Sequence, residues 1–249
     1  MTELNDATIK AWISGRIGYG RVDAPFWLLG REELTADFNV EVPIRLNGPA
    51  LDDLHAAHER LPQGAKWFGD DPSLQPTWHK LVVALLLAQG KPADEAAVRD
   101  YQAKQLGRSE GETLLMSFYP LPAMGVKGFW PYSATETLPY LGTRTDYESE
   151  VWLSRASQLQ RLLREHKPKW ILAYSKPLWP KFKRIFGTAQ WSQIPMGPAT
   201  WGEYAFVGEQ RTLVTLAPDP TTQGSASKMA NWTALGEFVR EKLGAGKVG

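Results

Sequence analysis

The chain has 249 residues, with 28 basic and 27 acidic side chains, a net charge of +1 and no cysteine. Such a length supports a sizeable core in one α/β domain or two small ones. The missing cysteines exclude a disulfide scaffold, a Cys-ligated zinc or iron–sulfur centre and a thiol nucleophile, and the even charge selects no partner by itself.

In chain order, Met1–Lys10 lacks the basic start and apolar centre of a secretory signal. The first strand signal is Pro25-Phe-Trp-Leu-Leu-Gly30, a short apolar run closed by glycine. Trp78–Ala88 reads as a helix apolar almost all round, and Asp94–Leu106 as a more polar companion. Its longest wholly apolar run, Leu81–Ala88, is far too short to cross a bilayer. Thr113-Leu-Leu-Met-Ser117 is the second strand signal and runs into Phe118-Tyr-Pro-Leu-Pro122. In Glu148–His166 the residues Trp152, Ala156, Leu159 and Leu163 fall on one helical stripe. Trp170-Ile-Leu-Ala-Tyr174 and Thr212-Leu-Val-Thr-Leu216 complete the strands. A last helix starts near Ser225 or Ser227, each suited to an N-cap, and buries Trp232, Val239 and Leu243, before a frayed tail over 244–249.

Unalternating apolar runs suit strands buried on both faces, and their alternation with helices implies parallel pairing. The expected fold is α/β: a three-layer α/β/α sandwich around a central, mainly parallel four-stranded sheet. No linker or repeat divides 1–249, so one soluble, cytoplasmic domain is expected. The charge is segregated. Residues 1–150 carry 14 basic and 21 acidic groups, whereas 151–184 carry nine basic groups against Glu165 alone. That block is either a phosphate-facing patch or a solvated helix face. Of the eleven tryptophans, Trp67, Trp130, Trp179, Trp191 and Trp201 lie in loop-like contexts, where core plugging competes with base stacking.

Ligands of parallel α/β sheets bind at the carboxyl ends of the strands. Those ends carry Gly30-Arg31-Glu32-Glu33, then Ser117, Phe118 and Tyr119, then Tyr174, Ser175 and Lys176, then Asp219, Thr221 and Gln223. Acid, hydroxyl, aromatic and cationic groups would thus meet on one edge, a chemistry that activates water beside a flat polar substrate.

These segments, in this order, resemble the uracil-DNA glycosylase superfamily. Gly30-Arg31-Glu32-Glu33-Leu34 resembles its water-activating loop, and the stretch from Pro43 to Leu54 is similar to a segment of its iron–sulfur branch. Leu114-Leu-Met-Ser117 lies where the superfamily ends a strand at its base-reading asparagine. Pro168-Lys-Trp-Ile-Leu-Ala-Tyr174 is similar to its later strand, and Ala217-Pro-Asp-Pro220 to its His-Pro-Ser-Pro signature. The departures are Ala217 in place of the signature histidine, Ser117 in place of asparagine, Ile44 near the stacking phenylalanine, and no cysteines for a cluster. The resemblance therefore implies a monofunctional DNA glycosylase, without metal or other cofactor and as a monomer, that acts on something other than plain uracil. Members that remove modified pyrimidines, such as glucosylated hydroxymethylcytosine of phage DNA in antiviral defence, set the direction in which these departures lean.

Hydrolysis of an N-glycosidic bond builds positive charge on the sugar, so a carboxylate that orients water is needed. The resemblance places Glu32 in that role, with Glu33 as the neighbour a one-residue shift would exchange for it; an N-cap or an ion pair with Arg31 is the structural alternative. Asp219 either assists or caps the next turn. The flipped base would meet Ser117, Phe118, Tyr119 and Ile44, with core packing the competing role for Phe118. DNA would run past Arg31, Lys176, Lys181, Lys183 and Arg184, with Thr221, Thr222 and Gln223 in the wedging loop. The glycine-rich Gly15–Arg21 is a further source of backbone amides. His55 and His58 share a helix face that suggests a metal, but no third ligand follows, and a solvated face is the simpler reading. Neither Ser14 nor Ser175 lies in a nucleophile elbow. Three rivals remain: a DNA-binding module of the same fold that has lost catalysis, a uracil-excising DNA repair glycosylase, and an enzyme for free nucleosides or nucleotides.

Overall fold

In a computed structural model of the protein, the structure describes residues 4–124, 130–187, 190–195, 201–209, 211–224 and 228–245. The strands are β1 (Gly18–Gly20), β2 (Phe26–Gly30), β3 (Leu51–Asp52), β4 (Thr113–Ser117), β5 (Trp170–Tyr174), β6 (Ser192–Gln193), β7 (Glu203–Val207) and β8 (Thr212–Ala217). The helices are α1 (Asp6–Gly15), α2 (Phe38–Leu46), α3 (Leu54–Glu59), α4 (Pro76–Ala88), α5 (Glu95–Lys104), α6 (Arg144–His166), α7 (Trp179–Phe186) and α8 (Met229–Ala245).

All eight strands join one mixed sheet in the order β3-β1-β4-β2-β5-β8-β7-β6. The four runs read from the sequence are β2, β4, β5 and β8. They are neighbours in the sheet, pair parallel, and end in register: Gly30 lies opposite Ser117 and Tyr174 opposite Ala217. A four-stranded sheet is therefore too small a description, because β1 and β7 extend it antiparallel on either side and the two-residue β3 and β6 form its edges. Each of these four escapes hydrophobic-run reasoning. Two residues carry no periodicity, β7 (Glu-Tyr-Ala-Phe-Val) is only partly buried, and β1 is Gly-Tyr-Gly. The glycine-rich segment expected to offer free amides is thus partly a sheet strand. Gly20 holds φ at +105°, and a Cβ there would overlap the Thr113 carbonyl, so only glycine lets β1 lie against β4 at that point.

Period-two alternation sends Trp27 and Leu29 of β2 to one core and Phe26 and Leu28 to the other. The first core is completed by α1, α2, α6 and α7, the second by α3, α4, α5 and α8. Helix α4 begins at Pro76, two residues before the expected start, with the Gln75 side chain capping the Trp78 N–H at 2.7 Å. Its residues Leu81–Leu86 are all buried. Helix α5 is capped by Asp94 and spans a slightly shorter stretch than expected. In α8, Trp232 and Val239 are fully buried and Leu243 packs at the margin. The expected N-caps Ser225 and Ser227, and 246–249 of the expected tail, lie outside the described residues.

Helix α6 is longer than its apolar stripe, starting at Arg144 behind a Thr143 N-cap. Its buried line is Tyr147, Val151, Arg155, Leu159 and Leu162, so Trp152, Ala156 and Leu163 only flank the core. An arginine in the middle of the buried line is what shifts the face. Arg155 is 2% exposed. It donates to the carbonyls of Arg16 (2.6 Å), Ser117 (2.6 Å) and Phe118 (2.9 Å). Those carbonyls belong to the last residue of β4, the residue after it and the residue after α1. Arg155 is thereby removed from the basic patch; its charge organises the backbone beneath the strand ends. Among the described residues, no helix is long and apolar enough to cross a membrane.

Candidate active site

The carboxyl ends of β2, β4, β5 and β8 open into a cavity of about 810 Å³ whose wall includes Glu32, Glu33, Ser117, Tyr174, Ser175, Asp219 and Thr221. Its far side is formed by α2, α3 and the start of α4. The convergence expected from strand order is therefore present in space.

A Cβ at Gly30, the last residue of β2, would overlap the Tyr174 ring, so the close approach of that ring requires glycine there. Beyond Gly30 the chain stays extended and is stitched to the segment after β4. Phe118 and Tyr119 donate their N–H groups to the Gly30 and Arg31 carbonyls at 2.9 and 2.7 Å. Ala123 donates to Glu33 at 2.9 Å and Thr35 to Ala123 at 3.0 Å. An extended backbone throws consecutive side chains to opposite sides, so the two adjacent glutamates enter two different environments.

Glu33 turns toward β1 and α2. It accepts from the Tyr19 hydroxyl at 2.6 Å, from Arg45 at 2.6 Å and from Arg16 at 3.4 Å. Burial works to raise its pKa, but the charges of Arg45 and Arg16 and the tyrosine hydrogen bond hold it below the ordinary glutamate value. Glu32 turns toward α6. It pairs with Arg144 and lies 3.5 Å from Arg31, and both arginines are shared with Glu148. Burial dominates here, its side chain being only 4% exposed, and pushes its pKa above the ordinary value against those cations. One oxygen is engaged; the second has no hydrogen bond among the described residues. Opposite shifts in adjacent carboxylates separate a group held as an anion from one that takes up a proton more readily than an ordinary glutamate. The alternative of a simple Arg31 pair for Glu32 is thus part of a four-charge cluster.

Other expected residues divide clearly. Ser117 reaches the cavity while its carbonyl is held by Arg155. Asp219 lines the cavity and also caps its own turn, accepting from the Thr221 N–H at 2.8 Å and hydroxyl at 2.6 Å. Phe118 and Tyr119 are fully buried among aromatic rings on the first core and are not part of the cavity wall; their proposed stacking on a base has no surface to act through. Ile44 is half-buried on α2 and likewise absent from the wall, whereas Val40 and Arg45 of that helix contribute to it. Gln223 is exposed outside the cavity.

The cations separate as well. Lys183 pairs with Glu203 at 2.5 Å, and Lys181 donates to the Tyr119 hydroxyl. Arg161 pairs with Glu165 at 3.5 Å. Lys176 and Arg184 are exposed and form no ion pair among the described residues. The basic block is therefore not one continuous face. The histidines depart from a solvated helix face: His55 stacks on Phe68 with centroids 4.6 Å apart, and His58 is buried. Among the described residues, no group of three or more His, Cys, Asp or Glu could hold a metal ion.

Sequence reasoning missed Tyr19, Arg16, Arg45 and Arg144 as partners of the two glutamates. Arg45 lies inside the Pro43–Leu54 segment that was singled out, and its neighbour Ile44 drew the attention instead. Arg16 and Tyr19 lie in the glycine-rich Gly15–Arg21 segment, where backbone amides and not side chains are the expected contribution; Arg144 carries no local signal, since α6 meets the loop only in the folded chain.

Ser175 supplies a further signature. At φ +115° and ψ +96° it occupies a region that L residues rarely adopt, directly after β5. It is held there by its N–H to Ala217 at 3.1 Å and by accepting from Leu178 at 2.9 Å. Strain of this kind costs on the order of 1–3 kcal/mol and gathers at functional sites. Ser175→Gly is expected to raise the melting temperature by roughly 2–4 °C per kcal/mol relieved. An unchanged or lower value in calorimetry would mean that the hydroxyl contributes more than the strain removes.

No protein-family model matches the chain, and no curated protein does.

Proposed function

We propose that the protein is a metal-independent DNA glycosylase that flips a modified base into this cavity and hydrolyses its N-glycosidic bond, leaving an abasic site. The observation that carries the reading is the Glu32–Glu33 pair, two adjacent carboxylates of opposite protonation tendency at the end of a central parallel strand. Glu32, with an unengaged oxygen, orients and deprotonates the attacking water. Glu33, held anionic, balances the positive charge that develops on the sugar. Ser117, in the position the superfamily gives to asparagine, offers only a hydroxyl, which suits a base other than plain uracil. The resemblance extends the proposal to a uracil-DNA glycosylase-like α/β/α fold and to modified cytosine, including the glucosylated hydroxymethylcytosine of phage DNA, with antiviral defence as the setting.

The test is incubation with DNAs carrying cytosine, uracil, hydroxymethylcytosine and glucosylated hydroxymethylcytosine, scoring alkali-sensitive abasic sites. Release from one modified DNA alone supports the reading; binding without release on every DNA replaces it with a binding module. Of the cations expected to meet DNA, Lys176 and Arg184 are exposed and form no ion pair among the described residues. Neutralising both is expected to weaken DNA binding and lower the salt slope of log K by about 2, since each phosphate contact contributes roughly 0.9. Neutralising Lys183, already paired with Glu203, should do less. Unchanged release kinetics and salt slope in the double variant would favour a free nucleoside or nucleotide as substrate.

A further inference from the structure

The arm of the cavity opposite the strand ends contains a histidine that the mechanism does not use. His58 is 7% exposed and sits in α3 with its Nδ1 2.8 Å from the Leu54 carbonyl. A carbonyl only accepts, so Nδ1 carries the hydrogen and Nε2 is left as a lone pair. Nε2 has no hydrogen-bond partner among the described residues, and His58 forms part of the cavity wall. The ring is braced edge-on against Trp78, centroids 5.2 Å apart, and tilted against Phe68 at 5.7 Å, so its orientation is set by packing. Burial, with the nearby Arg45 charge, pushes its pKa down to about 4, which keeps the lone pair available throughout the physiological range.

Three polar groups of the same wall are engaged elsewhere. Arg45 and the Tyr19 hydroxyl are held by Glu33, and the Gln75 oxygen caps α4. Trp67 and Trp78 supply flat apolar walls, set edge to face with centroids 6.4 Å apart. An acceptor of fixed direction beside indole surfaces matches one kind of occupant, a planar ring that carries a hydrogen-bond donor on its edge. We propose that His58 is a specificity-determining residue of this cavity, its Nε2 accepting from an N–H of a heteroaromatic ring seated beside Trp67 and Trp78. The inference rests on the reading of the cavity as a base pocket and adds what is recognised there: an exocyclic amine or a ring imide N–H, not a carbonyl edge.

The test records imidazole nitrogen resonances of the ¹⁵N-labelled full-length protein while cytidine or uridine is added. Their donor-blocked analogues, N4,N4-dimethylcytidine and 3-methyluridine, are titrated in parallel. The expected result is a shift of the His58 Nε2 resonance with the unblocked member of at least one pair, and about tenfold weaker binding of its blocked partner, the effect of one lost hydrogen bond. Response to cytidine assigns the amine, response to uridine the imide. In His58→Phe, which keeps a ring in the packing and removes the acceptor, the blocked and unblocked members should bind alike. Equal binding of both members to the unaltered protein, or no movement of His58 with any nucleoside, overturns the inference without need of a variant. Base release from DNA is scored separately. Release with a silent His58 removes this inference and leaves the glycosylase reading, whereas a responsive His58 without release does the reverse.

Discussion

Glu32→Gln is expected to slow base release by roughly 10²–10⁴-fold, the range that a positioned general base contributes, while leaving the fold and DNA affinity nearly intact. The amide keeps the shape of the carboxyl group and loses only the ability to take a proton from water. Stability should change little, for a reason visible in the site. Burial raises the Glu32 pKa in spite of Arg144 and Arg31, so the folded state already disfavours the charge. A raised folded pKa lowers stability as pH climbs from the ordinary glutamate value through the raised one. At neutral pH the neutral glutamine removes that penalty, which offsets the lost pairing with Arg144, itself still beside Glu148 at 3.4 Å. Single-turnover release and thermal melting of the same preparation check both parts. The pH profile adds a third readout. The acid limb of kcat/KM should lie above the ordinary glutamate range and disappear in the variant. Full activity in Glu32→Gln, with loss in Glu33→Gln at unchanged stability, would move the role to Glu33.

Glu33→Gln should behave in the opposite way, as a stability defect first. It removes the anion shared by Arg45, Arg16 and Tyr19, and the side chains of Arg16 and Arg45 are only 3% and 9% exposed. Removing one partner from buried charges costs about 3–5 kcal/mol. For a chain of this size that corresponds to a fall in melting temperature of roughly 6–20 °C. Arg45 retains Glu41 at 3.5 Å and Arg16 retains the Pro49 carbonyl at 3.1 Å, which places the expected value toward the lower end. Because the folded pKa of Glu33 is depressed, its contribution is fully present above the ordinary glutamate value and lost as pH falls through the depressed one. The gap in melting temperature between parent and variant should therefore narrow in acid. A gap that stays constant down to low pH would assign the loss to shape rather than charge.

The two substitutions separate functions that neighbouring residues could easily share. What distinguishes them is the extended backbone between Gly30 and Leu34, which directs one carboxylate to α6 and the other to β1 and α2. Arg155 illustrates the same dependence on context. As one of nine basic residues within 151–184 it belongs to a charged block; in the fold its guanidinium is the partner of three carbonyls below the strand ends. Phe118 and Tyr119 are the converse case, aromatic residues at a strand end that pack into the first core while the segment after β4 runs on parallel to the glutamate loop.

The four central strands were legible because each is a short apolar run with both faces buried, and such a run needs no knowledge of its partners. Their shared direction followed from the helices between them, and with it the convergence of Glu32, Ser117, Ser175 and Asp219 on one edge. The flanking strands were not legible: the two or three residues of β1, β3 and β6 gain strand geometry only by pairing with a neighbour already in place, and β7 is only partly buried. The opposite protonation tendencies of the glutamates and the strain at Ser175 were decided by the tertiary structure, whereas the His58 tautomer follows from a local contact in α3 with the Leu54 carbonyl four residues back. Charge state and backbone strain depend on what approaches within a few ångströms, and here those neighbours come from the α1–β1 segment and α2 for Glu33 and, for Glu32, from Arg144 at 112 positions' distance. Local patterns establish where the chain is buried; only the closed fold establishes which buried groups face one another.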